Sequence, residues 1–241
     1  MKRYCLYLFI LIGISCSAEL KAQKNGTVYK GNDPAVRYTG RTLVSPDGSV
    51  AFDWVGTYLE TRFTGGKLSV KVSETGTSYY NVFVDGKLHK VVKVCGTDTL
   101  IHLVSGIDKR IHSLKIQKRS EGEFGKTTVH QFVLSGSGRL AEEPAVRTRH
   151  IEFIGNSLTC GYGTDGKHRD EPFLVETENC NLTFASMVAR YYDADYTLIA
   201  HSGRGAARNY GDSVRVSKVT MKDRMLNTFD EDLTHKWNFK E

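Results

Sequence analysis

The chain has 241 residues, 40% of them hydrophobic, with 33 Lys and Arg against 27 Asp and Glu for a formal net charge of +6. That length and composition belong to a globular protein with one large domain or two modest ones. The basic residues are scattered among acidic ones, which excludes the basic stripe of a nucleic-acid-binding surface.

Lys2 and Arg3 precede the apolar run "CLYLFILIGIS" and then small and polar residues up to "KAQ", the three parts of a secretory signal over residues 1–22. The run is too short to span a membrane. Cleavage is expected after Ala22, and the chain is placed outside the cytoplasm, secreted or periplasmic. Lipid anchoring through Cys16 is the weaker alternative, because Gly13 stands where a large aliphatic residue belongs. Loss of Lys2, Arg3, Lys21 and Glu19 lowers the net charge from +6 to +4. Cys95, Cys160 and Cys180 then remain, and an oxidising compartment favours a pair among them. Cys160 with Cys180 is the expected disulfide, since both lie in one segment. No spacing joins these cysteines to a histidine as zinc ligands, so no metal site is expected.

Residues 23–147 read as a β domain. "KLSVKVS", "YYNVFVD", "KLHKVVKV", "TLIHLV", "HSLKIQK" and "TVHQFVL" alternate apolar and polar residues between glycine-rich or polar turns. Short runs of that period predict a β-sandwich, with a jelly-roll-like arrangement expected. Asp85-Gly86 sits between two of the runs, where a tight antiparallel hairpin needs positive φ. Trp54, Tyr58, Tyr79 and Tyr80 suit a core as well as they suit a sugar-stacking platform. "LAEEPAVRTRH", with Pro144, is a polar connector that sets a boundary near Arg147.

Residues 148–241 change to strand, loop, helix, strand. "HIEFIG" is a short apolar strand. "NLTFASMVARYYDA" places Leu182, Ala185, Val188, Ala189 and Tyr192 on one helical face, widened by Phe184, Met187 and Tyr191. "DYTLIAHSG" is a second apolar strand, so this half begins a parallel α/β sheet. Ligands in such sheets collect beyond the carboxyl ends of the strands, where "GNSLT" and "HSGRG" fall. Ser157, at the first of these ends, is a candidate nucleophile for acyl transfer, and its own N–H and that of Gly205 are candidate oxyanion donors. A helix-capping serine explains the same residue equally well. The "NGT" and "NLT" sequons at Asn25 and Asn181 are read as chance matches.

"FIGNSLTCGYG" resembles the Gly-Asp-Ser-Leu block of SGNH/GDSL hydrolases. Together with "YTGRT", "WVGTYLETRFTG", "VFVDGK", "IHSLKIQKRSEG", "ETEN" and "AHSGRGAARNYGD", it resembles carbohydrate esterase family 2, the acetyl xylan esterase type. The resemblance implies an N-terminal β-sandwich followed by a three-layer α/β SGNH-hydrolase domain. It also implies removal of acetyl groups from plant polysaccharides such as xylan and glucomannan, with no cofactor. It assigns Ser157 as nucleophile and the N–H groups of Ser157 and Gly205 as oxyanion donors. Asn156 departs from the usual aspartate. The family's Gly-x-Asn-Asp block, which supplies a third donor, and its Asp-x-x-His block, which supplies the base, do not occur before Glu241. Only two strands are visible where about five are needed, so the chain is read as a C-terminally truncated member of low activity.

His201, His150, His168 and His235 do not reproduce the expected context of the base. Glu176 and Asn179 are candidates for the rim of a sugar site. Among the residues around Gly205, which include Arg204, Arg208 and Tyr210, Asn209 and Asp212 are expected to cap a following helix. The expected partner is an acetylated plant polysaccharide. The rival reading is a non-catalytic carbohydrate-binding or docking protein built on the sandwich, and a third is a fragment that folds stably only as far as Arg147.

Overall fold

The computed structural model describes residues 26–142 and 145–240. The signal segment, Cys16, the Asn25 sequon and Pro144 lie outside the described residues. Seven strands, β1 (Gly26–Lys30), β2 (Val36–Thr39), β3 (Leu43–Val44), β4 (Val50–Phe52), β5 (Tyr58–Val84), β6 (Lys87–Lys118) and β7 (Thr127–Ser135), form one antiparallel sheet. The runs expected as separate short strands are fused. "KLSVKVS" and "YYNVFVD" both lie in β5, and three further runs lie in β6. The intervening polar residues act as bulges that bend the ladder without ending it, with register shifts at Gly66 and between Glu74 and Thr77.

This bending closes the core. Residues 58–61 and 81–84 of β5 both pair with 114–117 of β6, and 81–84 also pair with 87–91. The middle of β5 meanwhile pairs with β7 from Lys67↔Ser135 to Glu74↔Thr127. The sheet therefore curls around its own apolar face, which carries Phe52, Leu59, Phe63, Leu68, Val82, Leu103, Leu114 and Phe132, all 2% exposed or less. Full burial of a side chain of this size contributes roughly 1.5–3 kcal/mol relative to exposure. The Asp85-Gly86 hairpin is present as expected, with φ of 49° and 75° and Val84 opposite Lys87.

The second unit contains β8 (His150–Gly155), α1 (Ser157–Cys160), α2 (Phe184–Tyr191), β9 (Asp195–Ala200) and α3 (Met221–Arg224). β8 and β9 are parallel, from His150↔Asp195 to Gly155↔Ala200. β9 is buried along its whole length. Helix α2 starts at Phe184, and its inner face keeps Ala185 and Ala189 of the expected one but not the bulky residues. Ala185, Ser186 and Ala189 are buried, whereas Leu182, Val188 and Tyr192 are 38–52% exposed. The helix lies against Tyr58, Tyr196, Cys180 and Leu198 through its small residues, which permit close approach and turn the bulky ones outward.

The two units share a core. Val55 and Tyr58 from the curled sheet cluster with Cys160, Cys180, Ala185, Ala189, Tyr196, Leu198 and Ala200. A Cβ on Gly56 would lie 2.6 Å from Leu198 Cδ1. Polar contacts reinforce this seam. Asp195 accepts hydrogen bonds from Tyr58 Oη at 2.6 Å and from Arg37 Nη1 and Arg147 Nη1 at 2.7 Å. Arg119 donates to the carbonyls of Glu178 and Glu176 at 2.8 and 2.9 Å and to Asp165 at 2.5 Å. No helix of the described residues is long and apolar enough to cross a membrane.

Candidate active site

The strand end of β8 runs straight into α1 at Asn156. Asn156 is the N-cap, its extended backbone (φ −131°, ψ −154°) turning the chain while its side-chain oxygen accepts the Leu158 N–H at 3.2 Å. The cap is thus supplied by Asn156, and Ser157, the first helical residue, is spared that role. Gly155 makes the turn sterically possible, because a Cβ there would lie 2.0 Å from Thr159 Oγ1. Ser157 is half-buried on the wall of a cleft of about 620 Å³. Glu123, Asn156, Tyr162, Ser202, Gly203, Arg204, Gly205, Arg208 and Tyr210 line the rest. The structure therefore brings Ser157 and Gly205 to one cleft at the carboxyl ends of both parallel strands, where an α/β sheet holds its ligands.

The Gly205 N–H is donated to Asn209 Oδ1 at 3.2 Å. Asn209 also donates from Nδ2 to the Val219 carbonyl at 2.9 Å, and Asp212 accepts from Ser217 Oγ at 2.5 Å. These two residues pin the 203–219 loop and do not cap a helix, which corrects the expectation. The next helix, α3, is capped by Thr220 and Asp223, with Asp223 Oδ2 accepting the Thr220 N–H at 2.8 Å.

One cleft wall comes from the curled sheet, at the turn Glu121-Gly122-Glu123-Phe124. Glu121 is fully buried and accepts the Ser202 N–H at 2.6 Å and the Cys160 thiol at 3.3 Å, tying both strand ends to the turn. Glu178 lies beside it and accepts the Glu121 N–H at 2.9 Å. Burial, and then the adjacent Glu121 carboxylate, hold Glu178 well above the usual carboxylate range. The Oε1 atoms of Glu121 and Glu178 are both buried without a hydrogen-bond partner among the described residues. Burial and Glu121 likewise push the Cys160 thiol well above its ordinary range. Glu121, Cys160 and Glu178 bring metal-ligating atom types within 4.8 Å of one another.

His201 ends β9 with its ring buried. Nδ1 lies 2.7 Å from Asp230 Oδ2 and Nε2 lies 3.5 Å from Glu123 Oε2. Burial disfavours the imidazolium, but the hydrogen bond and charge of Asp230 outweigh it and raise the His201 pKa. Asp53 in turn receives the N–H groups of Asp230 and Glu231 at 2.8 and 3.1 Å, and burial beside Asp230 pushes it up to about 7. The other histidines named from sequence are not paired with Ser157. His150 bonds Thr197 Oγ1 at 2.9 Å and His235 bonds Asp232 at 2.9 Å, while His168 is exposed in the 161–170 loop.

Three expectations are corrected. Cys160 and Cys180 are free thiols, pointing to different acceptors: Glu121 Oε2 for Cys160 and the Lys118 carbonyl for Cys180, each at 3.3 Å. Asn179 is buried, its Oδ1 accepting Asn81 Nδ2 at 2.9 Å, so it braces the loop against the sheet and does not form a rim. Glu176 is exposed but accepts Tyr79 Oη at 3.2 Å and is not part of the cleft lining. Sequence reasoning missed Glu123 and Tyr162 as cleft residues. The only signal for Glu123 was its place beside "KRSEG", on the far side of the chain from the serine block.

The family description "Carbohydrate esterase 2 N-terminal" matches residues 38–144. The chain is 34% identical over 180 residues to the cellulase/esterase CelE of Acetivibrio thermocellus, covering 75% of this chain and 22% of that protein. It is 31% identical over 208 residues to an acetylxylan esterase / glucomannan deacetylase of Cellvibrio japonicus, covering 83% of this chain and 56% of the relative. A family two carbohydrate esterase from Clostridium thermocellum, solved in complex with cellohexaose, superposes with a TM-score of 0.79 at 32% identity. That match covers 85% of this chain and 62% of the solved one. The chain thus carries a carbohydrate esterase 2 N-terminal domain, its likeness to carbohydrate esterases runs on into the unit that bears Ser157, and it spans less than two thirds of the length of these relatives.

Proposed function

We propose that the cleft is the acyl-transfer site of a secreted carbohydrate O-acetyl esterase, acting on plant polysaccharides such as xylan and glucomannan. In this reading residues 23–147 form a jelly-roll-like sandwich domain and residues 148–241 belong to an SGNH-type α/β domain. The observation that carries it is Ser157, freed of capping by Asn156 and set in one cleft with Gly205 at the ends of both parallel strands. Ser157 Oγ attacks the acetyl carbonyl and loses its proton to a base. The backbone N–H groups of Ser157 and Gly205 stabilise the oxyanion, the sugar leaves as an alcohol, and water releases acetate from the acyl-enzyme. The Gly205 N–H serves only if its 3.2 Å bond to Asn209 is shared or released.

The described residues supply no histidine hydrogen-bonded to Ser157, so the 241-residue chain is expected to hydrolyse 4-nitrophenyl acetate little above background. Brisk turnover that Ser157→Ala abolishes would show that a base lies within the chain. Release of acetate from acetylated xylan or glucomannan is expected to depend on Ser157 wherever it is detected. Turnover that survives Ser157→Ala overturns the assignment of the nucleophile. The rival, a binding module using an aromatic platform on the sandwich, loses three of its four candidate aromatics, since Trp54, Tyr58 and Tyr80 are all buried.

A further inference from the structure

We propose that Glu123 is a substrate-binding residue of the cleft, its carboxylate accepting a hydrogen bond from a sugar hydroxyl beside the ester that Ser157 attacks. The inference rests on reading the cleft as a sugar-ester site and adds a binding residue supplied by the other unit. Glu123 belongs to the curled-sheet half of the chain, yet it lines the cleft together with Ser157, Ser202 and Arg204. Its side chain is 56% exposed, so it is open to a ligand. A carboxylate is an acceptor only, and sugar hydroxyls are donors, so the pair is a charge-assisted hydrogen bond.

The turn that carries Glu123 is held on three sides. Behind it, Glu121 is buried against Ser202 and Cys160. Beneath it, Gly122 packs so tightly that a Cβ would lie 2.9 Å from Asp230 Cβ. Beside it, the Phe124 ring lies 5.7 Å from Phe173, which stacks on the cleft residue Tyr162 at 3.7 Å and 10°. The carboxylate lies 3.5 Å from His201 Nε2, and the His201 ring is fixed from its far side by Asp230. Arg204 and Arg208 share the cleft, but the only ion-pair partner of Glu123 among the described residues is His201. A turn anchored in this way presents the carboxylate to the cleft with little backbone entropy left to lose on binding.

The test is calorimetric titration of the full 241-residue protein, wild type and Ser157→Ala, with xylohexaose, mannohexaose and cellohexaose. Thermal melts of each variant are recorded in parallel. Glu123→Ala is expected to weaken binding of the preferred hexaose roughly 10–100-fold, the range for a hydrogen bond to a charged group. Glu123→Gln keeps the shape and an acceptor oxygen and is expected to fall between the two. Both variants should melt with the wild type, because the side chain is exposed. Wild-type affinity in both Glu123 variants, with Ser157→Ala still binding, would overturn the role of Glu123 and leave the sugar site standing. Absence of hexaose binding by the wild type at millimolar concentration would overturn the sugar-site reading and this inference with it.

Discussion

At the residue scale, the serine block works because each neighbour takes a different task. Asn156 caps, Gly155 makes room for Thr159, and Ser157 is left facing the cleft. Gly155→Ala would force backbone or Thr159 movement in a buried turn, and denaturant unfolding is expected to show a loss of about 1–3 kcal/mol. The aspartate-to-asparagine departure at position 156 is legible in the sequence and harmless in the structure, since an amide oxygen accepts the Leu158 N–H as well as a carboxylate would. The Glu121–Glu178 pair was not legible, because its members are 57 residues apart and each reads alone as a surface charge.

That pair has a pH consequence. Glu178 faces Glu121, Lys118 and Cys160, and its folded pKa lies above the unfolded value of about 4.3. The folded state therefore holds the extra proton, and the stability this provides is complete below pH 4.3 and is lost as pH rises toward the folded pKa. Thermal melts are expected to show the wild type losing stability from pH 5 to pH 9 through this group. Glu178→Gln, which keeps a neutral donor, should flatten that slope, and an unchanged slope would show that Glu178 is not the group responsible.

At the scale of elements, periodicity found the strands and the helix but not how far each runs or which face turns inward. β5 and β6 were legible as alternating runs, yet their fusion depends on partners on both sides that keep the ladder paired across each bulge. In α2 the apolar stripe is wider than the contact it makes. Ala185 and Ala189 touch the shared core, while Phe184, Met187 and Tyr191 are more than half exposed. Ala189→Leu is expected to cost about 1–3 kcal/mol by overpacking against the core. Tyr191→Gln, at an 83% exposed position, should stay within about 0.5 kcal/mol of the wild type. The reverse order in chemical denaturation would show that Tyr191, and not Ala189, faces the core.

At the scale of the whole molecule, the two halves of the chain are joined by one core and one ionic seam. A domain boundary near Arg147 suggests a protease-resistant fragment ending there, but Arg147 bonds Asp195 across the seam and Tyr58 sits in the second unit's core. Limited proteolysis is expected to leave the seam intact, and accumulation of a stable 26–147 fragment would count against it. Asp195 is the seam's centre. Burial opposes its charge, but hydrogen bonds from Arg37, Tyr58 and Arg147 prevail and hold it well below the usual carboxylate range. Its contribution is present above the unfolded pKa of about 3.9 and is lost as pH falls toward the folded value. Asp195→Ala, which removes one carboxylate from Arg37 and Arg147 but leaves Glu60 to both, should cost roughly 1.5–3 kcal/mol at neutral pH, with a weaker dependence on acid than the wild type.

The sequence by itself determined the β-then-α/β order, the Asp85-Gly86 hairpin and the position of the serine turn. Each of these depends on residues close together in the chain: alternation, a turn dipeptide, a contiguous block. Only the tertiary structure decided that Cys160 and Cys180 stay apart, that Asn179 braces a loop, that Asn209 occupies the Gly205 N–H, and that Glu123 from the curled sheet walls the cleft. These are matters of direction and of contact between residues up to 98 positions apart, as for Asn81 and Asn179, and they are settled by how two packed units face each other.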